Sequence, residues 1–101
     1  MFLNAAATGE SDLSARRVLD ALLSVEQQLG RERPYVGAPR TIDLDLILYG
    51  DSVIDAPGLT VPHSRFRERR FVLEPLAEIA PEMIDPVTGR SVIALLALLR
   101  A

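Results

Sequence analysis

The segment from Thr41 to Tyr49 places the tightest constraint on the fold, because its hydrophobic residues recur with a period of two. The aliphatic residues at alternate positions are Ile42, Leu44, Leu46 and Leu48. The positions between them begin with Asp43 and Asp45 and continue with Ile47. An α-helix would scatter these residues around its axis, whereas a strand places each set on one face. The pattern predicts a β-strand over 41–49.

A segment whose hydrophobic residues recur at helical spacing precedes this strand. Its hydrophobic positions are Val18, Leu19, Leu22, Leu23, Val25 and Leu29. Ser14 is a suitable N-cap and Gly30 a suitable stop. The sequence also predicts a strand over Phe2–Glu10, a short hairpin strand over Ser52–Ile54, a helix ending at Pro81 and a last helix capped by Ser91. Strands and helices in this order predict an α+β fold.

Composition excludes several classes of protein. The 101 residues carry a formal net charge of −3, which disfavours a coat of nucleic acid. No apolar run approaches the roughly 18 residues of a membrane span, and the first residues lack the features of a signal peptide. The absence of cysteine excludes disulfides and thiolate metal sites and fits a reducing compartment. We expect one soluble, cytoplasmic domain with no nucleic-acid or membrane partner.

Asp43 and Asp45 are candidate metal ligands. On a strand their backbones lie about 6.6 Å apart on one face, from a rise of about 3.3 Å per residue. Carboxylates at this spacing suit hard cations such as Mg²⁺, and two ions could bridge them to a polyphosphate. The alternative is a solvated strand face on which both acids point at water.

Arginines flank this pair, and Arg31, Arg33 and Arg40 lie in or beside a proline-containing loop that follows Gly30. Guanidinium groups bind phosphate oxygens in a bidentate manner, although loop arginines can also be plain surface charges. His63 is the single histidine, and it is either structural or a donor to a phosphate. An arginine run follows it and consists of Arg65, Arg67, Arg69 and Arg70. This run has little aromatic interleaving, which argues against a nucleic-acid patch.

Several motifs occur together in one order along the chain. They are Phe2-Leu3-Asn4, Glu26-x4-Arg31-x-Arg33, Ala38-Pro39-Arg40-Thr41-Ile42-Asp43-Leu44-Asp45, Val61-Pro62-His63, Arg69-Arg70-Phe71-Val72-Leu73 and Pro75-Leu76-x-Glu78-Ile79-Ala80-Pro81. With these motifs the chain resembles the 6-hydroxymethyl-7,8-dihydropterin pyrophosphokinases of folate biosynthesis. The resemblance runs through the whole chain, and the Pro-Arg-x-x-Asp-x-Asp core is its most specific part.

The resemblance implies transfer of pyrophosphate from ATP to the hydroxymethyl group of the pterin, with AMP as the other product. The catalytic residues it implies are Arg31, Arg40, Asp43 and Asp45. Asp43 and Asp45 would hold two Mg²⁺ ions against the triphosphate. The residues implied near ATP are Arg33, Thr60, His63 and Arg69. The residues implied near the pterin are Phe2, Asn4, Glu26 and Phe71. The loop from Gly30 to Pro39 would close over the site as a lid.

The chain departs from the family's pattern in three places. The lid carries Val36-Gly37 where many members have a tryptophan, and Tyr35 is the nearest aromatic substitute. Ser64 replaces a larger residue after the histidine, and Gly58 stands where some members place an arginine. These departures predict an altered affinity for ATP.

The implied fold is a ferredoxin-like α+β sandwich, which this chain enters at the third strand. The first strand, first helix and second strand have no counterpart, so residues 1–101 correspond to the C-terminal two-thirds of one pyrophosphokinase domain. The strands Phe2–Glu10 and Thr41–Tyr49 would then border an empty position in the sheet. A homodimer that completes the sheet is the partner expected of such a chain.

Two other readings compete with a pyrophosphokinase. One is a truncated, catalytically inactive relative that acts as a binding or assembly module. The other is a structural α+β interaction domain in which the Asp-x-Asp motif has no chemical role. The second of these predicts no Mg²⁺-dependent binding of nucleotides.

Overall fold

The computed structural model describes residues 4–30 and 44–101. The chain divides into two compact units. Residues 11–30 and 44–46 belong to one unit, and residues 4–10 and 47–101 belong to the other. Each unit is described by itself below.

In the first unit, helix α1 spans Ala15–Gly30. The hydroxyl of Ser14 accepts a hydrogen bond from the backbone N–H of Arg17 at 3.3 Å, and the Ser14 carbonyl accepts from Val18 at 3.0 Å. Ser14 is therefore the N-cap, as predicted, because it satisfies amides that have no partner within the helix. Of the predicted hydrophobic positions, Leu23 and Val25 are about half exposed, at 49% and 45%.

In the second unit, strand β1 (Ile54–Ala56) pairs with strand β2 (Leu59–Val61) in an antiparallel hairpin. Ile54 lies opposite Val61 and Ala56 opposite Leu59. The connecting Pro57-Gly58 suits a type II turn, since Gly58 has a φ of +73°, which favours glycine. The two strands form the one sheet within residues 4–30 and 44–101.

The predicted strands over 2–10 and 41–49 were wrong where the structure describes them, and the predicted strand 52–54 is only partly found. Residues 4–10 and 44–49 contain no strand. Of the predicted strand Ser52–Ile54, only Ile54 lies in a strand, and it pairs with Val61. Gly50 and Asp51 do form the predicted turn, which is closed by a 3.0 Å bond from Ser52 N–H to the Tyr49 carbonyl. An alternating pattern determines which residues would share a face of a strand. A strand also needs a neighbouring backbone with which to form hydrogen bonds.

Helix α2 spans Arg70–Ile79, and helix α3 spans Val92–Arg100. Ser91 caps α3, with its hydroxyl accepting from Ala94 N–H at 3.2 Å, so both C-terminal helix predictions are confirmed. A 3-10 turn, Phe66–Glu68, precedes α2. The buried core of the unit consists of Phe66, Leu73, Leu76, Val92, Leu95 and Leu96. Apolar side chains from α2, α3 and the 3-10 turn thus supply the main hydrophobic stabilisation.

The described residues form an α+β structure with a two-stranded antiparallel sheet and three α-helices. The predicted α+β class is confirmed at this level. The ferredoxin-like arrangement, the start at its third strand and the boundaries of the domain stay predictions. None of the helices in the described ranges is both long and apolar enough to cross a membrane.

Candidate functional site

The predicted site residues fall into three groups. Five of them lie outside the described residues: Phe2, Arg31, Arg33, Arg40 and Asp43. Two belong to the unit that contains α1: Glu26 and Asp45. The remaining five belong to the unit that contains α2 and α3: Asn4, Thr60, His63, Arg69 and Phe71.

Thr60 and His63 are positioned by the β-hairpin and its exit. Thr60 is exposed at the middle of β2, between the buried residues Leu59 and Val61. His63 is partly buried, and its backbone N–H donates to the Ile47 carbonyl at 2.8 Å. The strand's alternation therefore directs Thr60 away from the core, and the Ile47 bond holds the backbone at His63.

The arginines of the run differ in whether an acidic side chain pairs with them. Arg65 pairs with Glu68 at 3.6 Å, Arg70 pairs with Glu74 at 2.8 Å, and Arg67 pairs with Asp85. Arg69 has no carboxylate partner within the described part of the chain. Three of the four positive charges are thus compensated locally, whereas Arg69 keeps its guanidinium donors available for an external anion.

Phe71 is an exposed aromatic residue next to this free cation. Its side chain is 52% exposed, although its sequence position is equally suited to the core. The guanidinium carbon of Arg69 lies 5.6 Å from the centre of the Phe71 ring, within the range of a cation–π contact. Phe66 fills the core instead, at 0% exposure. The structure therefore brings Arg69 and Phe71 together on the surface, while Asn4 is exposed elsewhere in the described segment 4–10.

Glu26 is more than the ordinary surface glutamate that its local sequence favours. Its carboxylate is partly buried, and Oε2 accepts from the backbone N–H of Leu44 at 2.9 Å. Leu44 immediately precedes Asp45, whose own carboxylate is exposed. A charge-assisted bond of this kind holds the backbone that presents Asp45.

The predicted Mg²⁺ ligands are only partly described. Within 4–30 and 44–101 no group of three or more histidine, cysteine, aspartate or glutamate side chains could hold a metal ion. Asp45 supplies an exposed carboxylate, the ligand type that Mg²⁺ prefers, and Mg²⁺ commonly completes its shell with water and phosphate oxygens. The donor chemistry of Asp45 therefore fits this cation.

The pair of Arg67 and Asp85 was missed by sequence reasoning. Asp85 is completely buried, and it accepts two bonds from Arg67, one from Thr88 Oγ1 at 2.8 Å and one from Val87 N–H at 3.1 Å. These bonds, Arg67 first, lower the pKa of Asp85 from 3.8 to about 2 against the opposing effect of burial. The turn composition of Asp85–Gly89 signals the local bonds to Val87 and Thr88. Nothing local signals a partner 18 residues away.

Comparison with known proteins defines the class. Residues 1–81 match the family model of 7,8-dihydro-6-hydroxymethylpterin-pyrophosphokinase, HPPK, and this range contains every predicted site residue from Phe2 to Phe71. The chain belongs to the HPPK family, which confirms the resemblance.

Curated proteins with similar sequences carry names that agree with this family. A 2-amino-4-hydroxy-6-hydroxymethyldihydropteridine pyrophosphokinase of a Synechocystis species is 45% identical over 95 residues, which are 94% of this chain and 49% of the relative. The protein of the same name in Pseudomonas aeruginosa is 43% identical over 96 residues, 95% of this chain and 59% of the relative. The folic acid synthesis protein fol1 of Schizosaccharomyces pombe is 41% identical over 87 residues, 86% of this chain and 12% of the relative. The chain thus spans about half the length of its bacterial relatives.

Proposed function

We propose that the protein acts in the ATP-dependent pyrophosphorylation of 6-hydroxymethyl-7,8-dihydropterin, a step of folate biosynthesis that yields AMP and the pterin diphosphate. The observation that carries the proposal is the family match, which includes every predicted site residue. The names of the relatives support the same substrate and the same transferred group. We also propose a cytoplasmic location.

The reaction forms one bond and breaks another. The hydroxymethyl oxygen of the pterin attacks the β-phosphorus of ATP and loses its proton to solvent. The bond from the β-phosphorus to the oxygen bridging the α-phosphate breaks, and AMP leaves with that oxygen. Because the triphosphate is strongly anionic, positioning and charge compensation provide most of the catalysis in this class of reaction.

The described residues offer groups suited to ATP. No carboxylate of the described residues pairs with Arg69, whose guanidinium could bind a phosphate, and Thr60 has an exposed hydroxyl. His63 has a ring that can donate a hydrogen bond while its backbone is held by Ile47. Together with Arg33 these are the proposed ATP ligands. Arg31 and Arg40 are proposed to approach the phosphates during turnover.

Two Mg²⁺ ions are the proposed cofactors. Asp43 and Asp45 would hold them, and the ions when bound would neutralise charge on the triphosphate. Asp45 contributes an exposed carboxylate to this pair, and the bond from Leu44 N–H to Glu26 holds the adjacent backbone.

The pterin would stack on an aromatic surface. Phe71 supports this role because half of its side chain is exposed and its ring lies beside Arg69. Phe2, Asn4 and Glu26 complete the proposed set of pterin contacts. Asn4 is exposed and carries an amide that can pair with the polar edge of a pterin.

Formation of AMP from Mg²⁺-ATP and the pterin tests the proposal. We expect AMP and the pterin diphosphate in equal amounts, and we expect Asp45→Asn to abolish both. Asp51→Asn is the matched control, since Asp51 is an exposed aspartate in a turn. If the purified chain binds neither Mg²⁺-ATP nor the pterin, the proposal is wrong.

A binding or assembly module is the second candidate. It is favoured by the lack of strand pairing in the described segments 4–10 and 44–49. Mg²⁺-ATP binding without AMP formation would support this alternative. A dimer in sedimentation experiments would support completion of the sheet by a second copy.

A further inference from the structure

A fully buried carboxylate, Asp85, links the segment between α2 and α3 to the 3-10 turn that precedes α2. Asp85 has a side-chain exposure of 0%, and its described partners are the Arg67 guanidinium, the Thr88 hydroxyl and the Val87 amide. The backbone of Asp85 is also held, because its N–H donates to the Arg90 carbonyl at 2.8 Å and its carbonyl accepts from Gly89 at 2.8 Å. Asp85 is therefore a rigid attachment point.

Arg67 is attached to this point in a bidentate manner. Its Nε and Nη2 both donate to Asp85, with 2.9 Å between Nη2 and Oδ1, and its guanidinium also lies 4.8 Å from the centre of the Phe66 ring. A planar guanidinium held by two parallel bonds has little freedom to rotate. Since its donors face Asp85, Arg67 is a poor candidate for a phosphate ligand.

The 3-10 turn that carries Arg67 has weak bonds of its own. Its backbone bonds are 3.4 Å from Phe66 to His63, 3.1 Å from Glu68 to Arg65 and 3.3 Å from Arg69 to Phe66. The hydrogen-bond geometry of a single 3-10 turn is poorer than that of an α-helix, so these bonds alone contribute limited rigidity. The turn is held instead by two side chains, the buried ring of Phe66 and the guanidinium of Arg67.

The same turn connects two proposed ATP ligands. The His63 carbonyl accepts from Phe66 N–H, and Arg69 N–H donates to the Phe66 carbonyl. His63 and Arg69 therefore lie at the two ends of a segment that carries Arg67 in its middle. Beyond this segment, His63 N–H donates to Ile47 and the Arg69 carbonyl accepts from Val72 and Leu73 at the start of α2.

We propose that Arg67 and Asp85 form a positioning pair that holds His63 and Arg69 in the arrangement that binds the phosphates of ATP. This inference rests on the proposed function, and it adds two residues that do not touch the nucleotide. A purely structural pair would contribute to the free energy of unfolding and leave the affinity of the folded protein for ATP unchanged.

The test compares Asp85→Asn and Arg67→Lys with the wild-type chain. Glu74→Gln is the matched control, because Glu74 also pairs with two arginines, Arg70 and Arg100, but on the exposed faces of α2 and α3. We expect the dissociation constant of Mg²⁺-ATP to rise about tenfold or more in Asp85→Asn, which is typical when a supporting group is lost, and by less in Arg67→Lys. The control should bind like the wild type.

Hydrogen exchange provides the second measurement. We expect faster amide exchange at residues 66–69 in Asp85→Asn, with protection of residues 73–79 in α2 retained. This result would show that the fold persists while the turn is loosened. If Asp85→Asn loses protection throughout α2, Arg67→Lys, which keeps the positive charge, decides the question by the same two measurements.

The outcomes separate the two proposals. If the wild type binds Mg²⁺-ATP and the folded variants bind it equally well, the positioning role is wrong and the proposed function stands. If the wild type does not bind Mg²⁺-ATP, the proposed function is wrong, and the positioning of an ATP site is wrong with it. Weaker binding in both variants but not in Glu74→Gln supports the positioning pair.

Discussion

The carboxylate of Glu26 accepts a hydrogen bond from the backbone N–H of Leu44, with 2.9 Å between Oε2 and the amide nitrogen. Glu26 belongs to α1, and Leu44 directly precedes Asp45. A residue of regular secondary structure thus holds the backbone next to a proposed metal ligand. Because an ionised acceptor strengthens such a bond, it contributes more than a neutral pair.

We predict that Glu26→Ala weakens the Mg²⁺ dependence of ATP binding, because the backbone that presents Asp45 loses its support. The unsatisfied N–H of Leu44 costs about 1–3 kcal/mol if it remains buried. Glu26→Gln should retain most of the binding, since its amide oxygen can accept the same bond. The measurement is a Mg²⁺ titration at fixed ATP, with Gln27→Ala, an exposed neighbour on α1, as the control. Equal Mg²⁺ titrations of Glu26→Ala and the wild type would contradict this role.

We predict an acid-dependent loss of stability from Asp85. Its pKa is lowered from 3.8 to about 2, chiefly by the Arg67 bond, so the folded state favours the ionised form. The resulting stabilisation, about 2 kcal/mol, is complete above about pH 5 and is lost progressively as the pH falls through 3.8 towards 2. Urea unfolding between pH 6 and pH 2.5 measures it, and Asp85→Asn should lack this component. Parallel pH profiles for the variant and the wild type would show that Asp85 does not contribute.

We predict that substitution of Phe66 affects stability, whereas substitution of Phe71 affects binding of the pterin. Phe66 is fully buried in the core, so Phe66→Ala should lower the free energy of unfolding by about 3–5 kcal/mol. Phe71 is 52% exposed, so Phe71→Ala should change it by less than about 1 kcal/mol while weakening the binding of the pterin. Denaturant unfolding and pterin titration measure the two effects. A pterin affinity that is unchanged in Phe71→Ala would remove that residue from the proposed site.

We predict that Arg69→Ala lowers the affinity for Mg²⁺-ATP by about tenfold or more, the size expected for a lost charge-assisted bond. Arg70→Ala is the matched control, because the guanidinium of Arg70 is already occupied by Glu74. Isothermal titration of both variants with Mg²⁺-ATP measures the difference. Equal losses in the two variants would indicate a general effect of positive charge and not a specific ligand.

The helices could be predicted from sequence because their signals are local. Hydrophobic spacing and the caps Ser14 and Ser91 lie within a few residues of the helices that they define. The described segments 4–10 and 44–49 are not strands, because alternation does not specify a pairing partner. The strands that pair within the described residues are Ile54–Ala56 and Leu59–Val61. Phe71 shows the same limit, since its sequence position does not reveal that Phe66 occupies the core instead.

The sequence by itself determined the family, through motifs whose residue types and order are read directly, and it determined the helices, whose hydrogen bonds join near neighbours. Only the tertiary structure decided that Arg67 is paired, since its partner Asp85 lies 18 residues away, whereas the partners of Arg65 and Arg70 are three and four residues away. The same holds for the contact of Glu26 with Leu44. Charges along a chain are evident from sequence, but their compensation depends on distances that are set when the elements pack together.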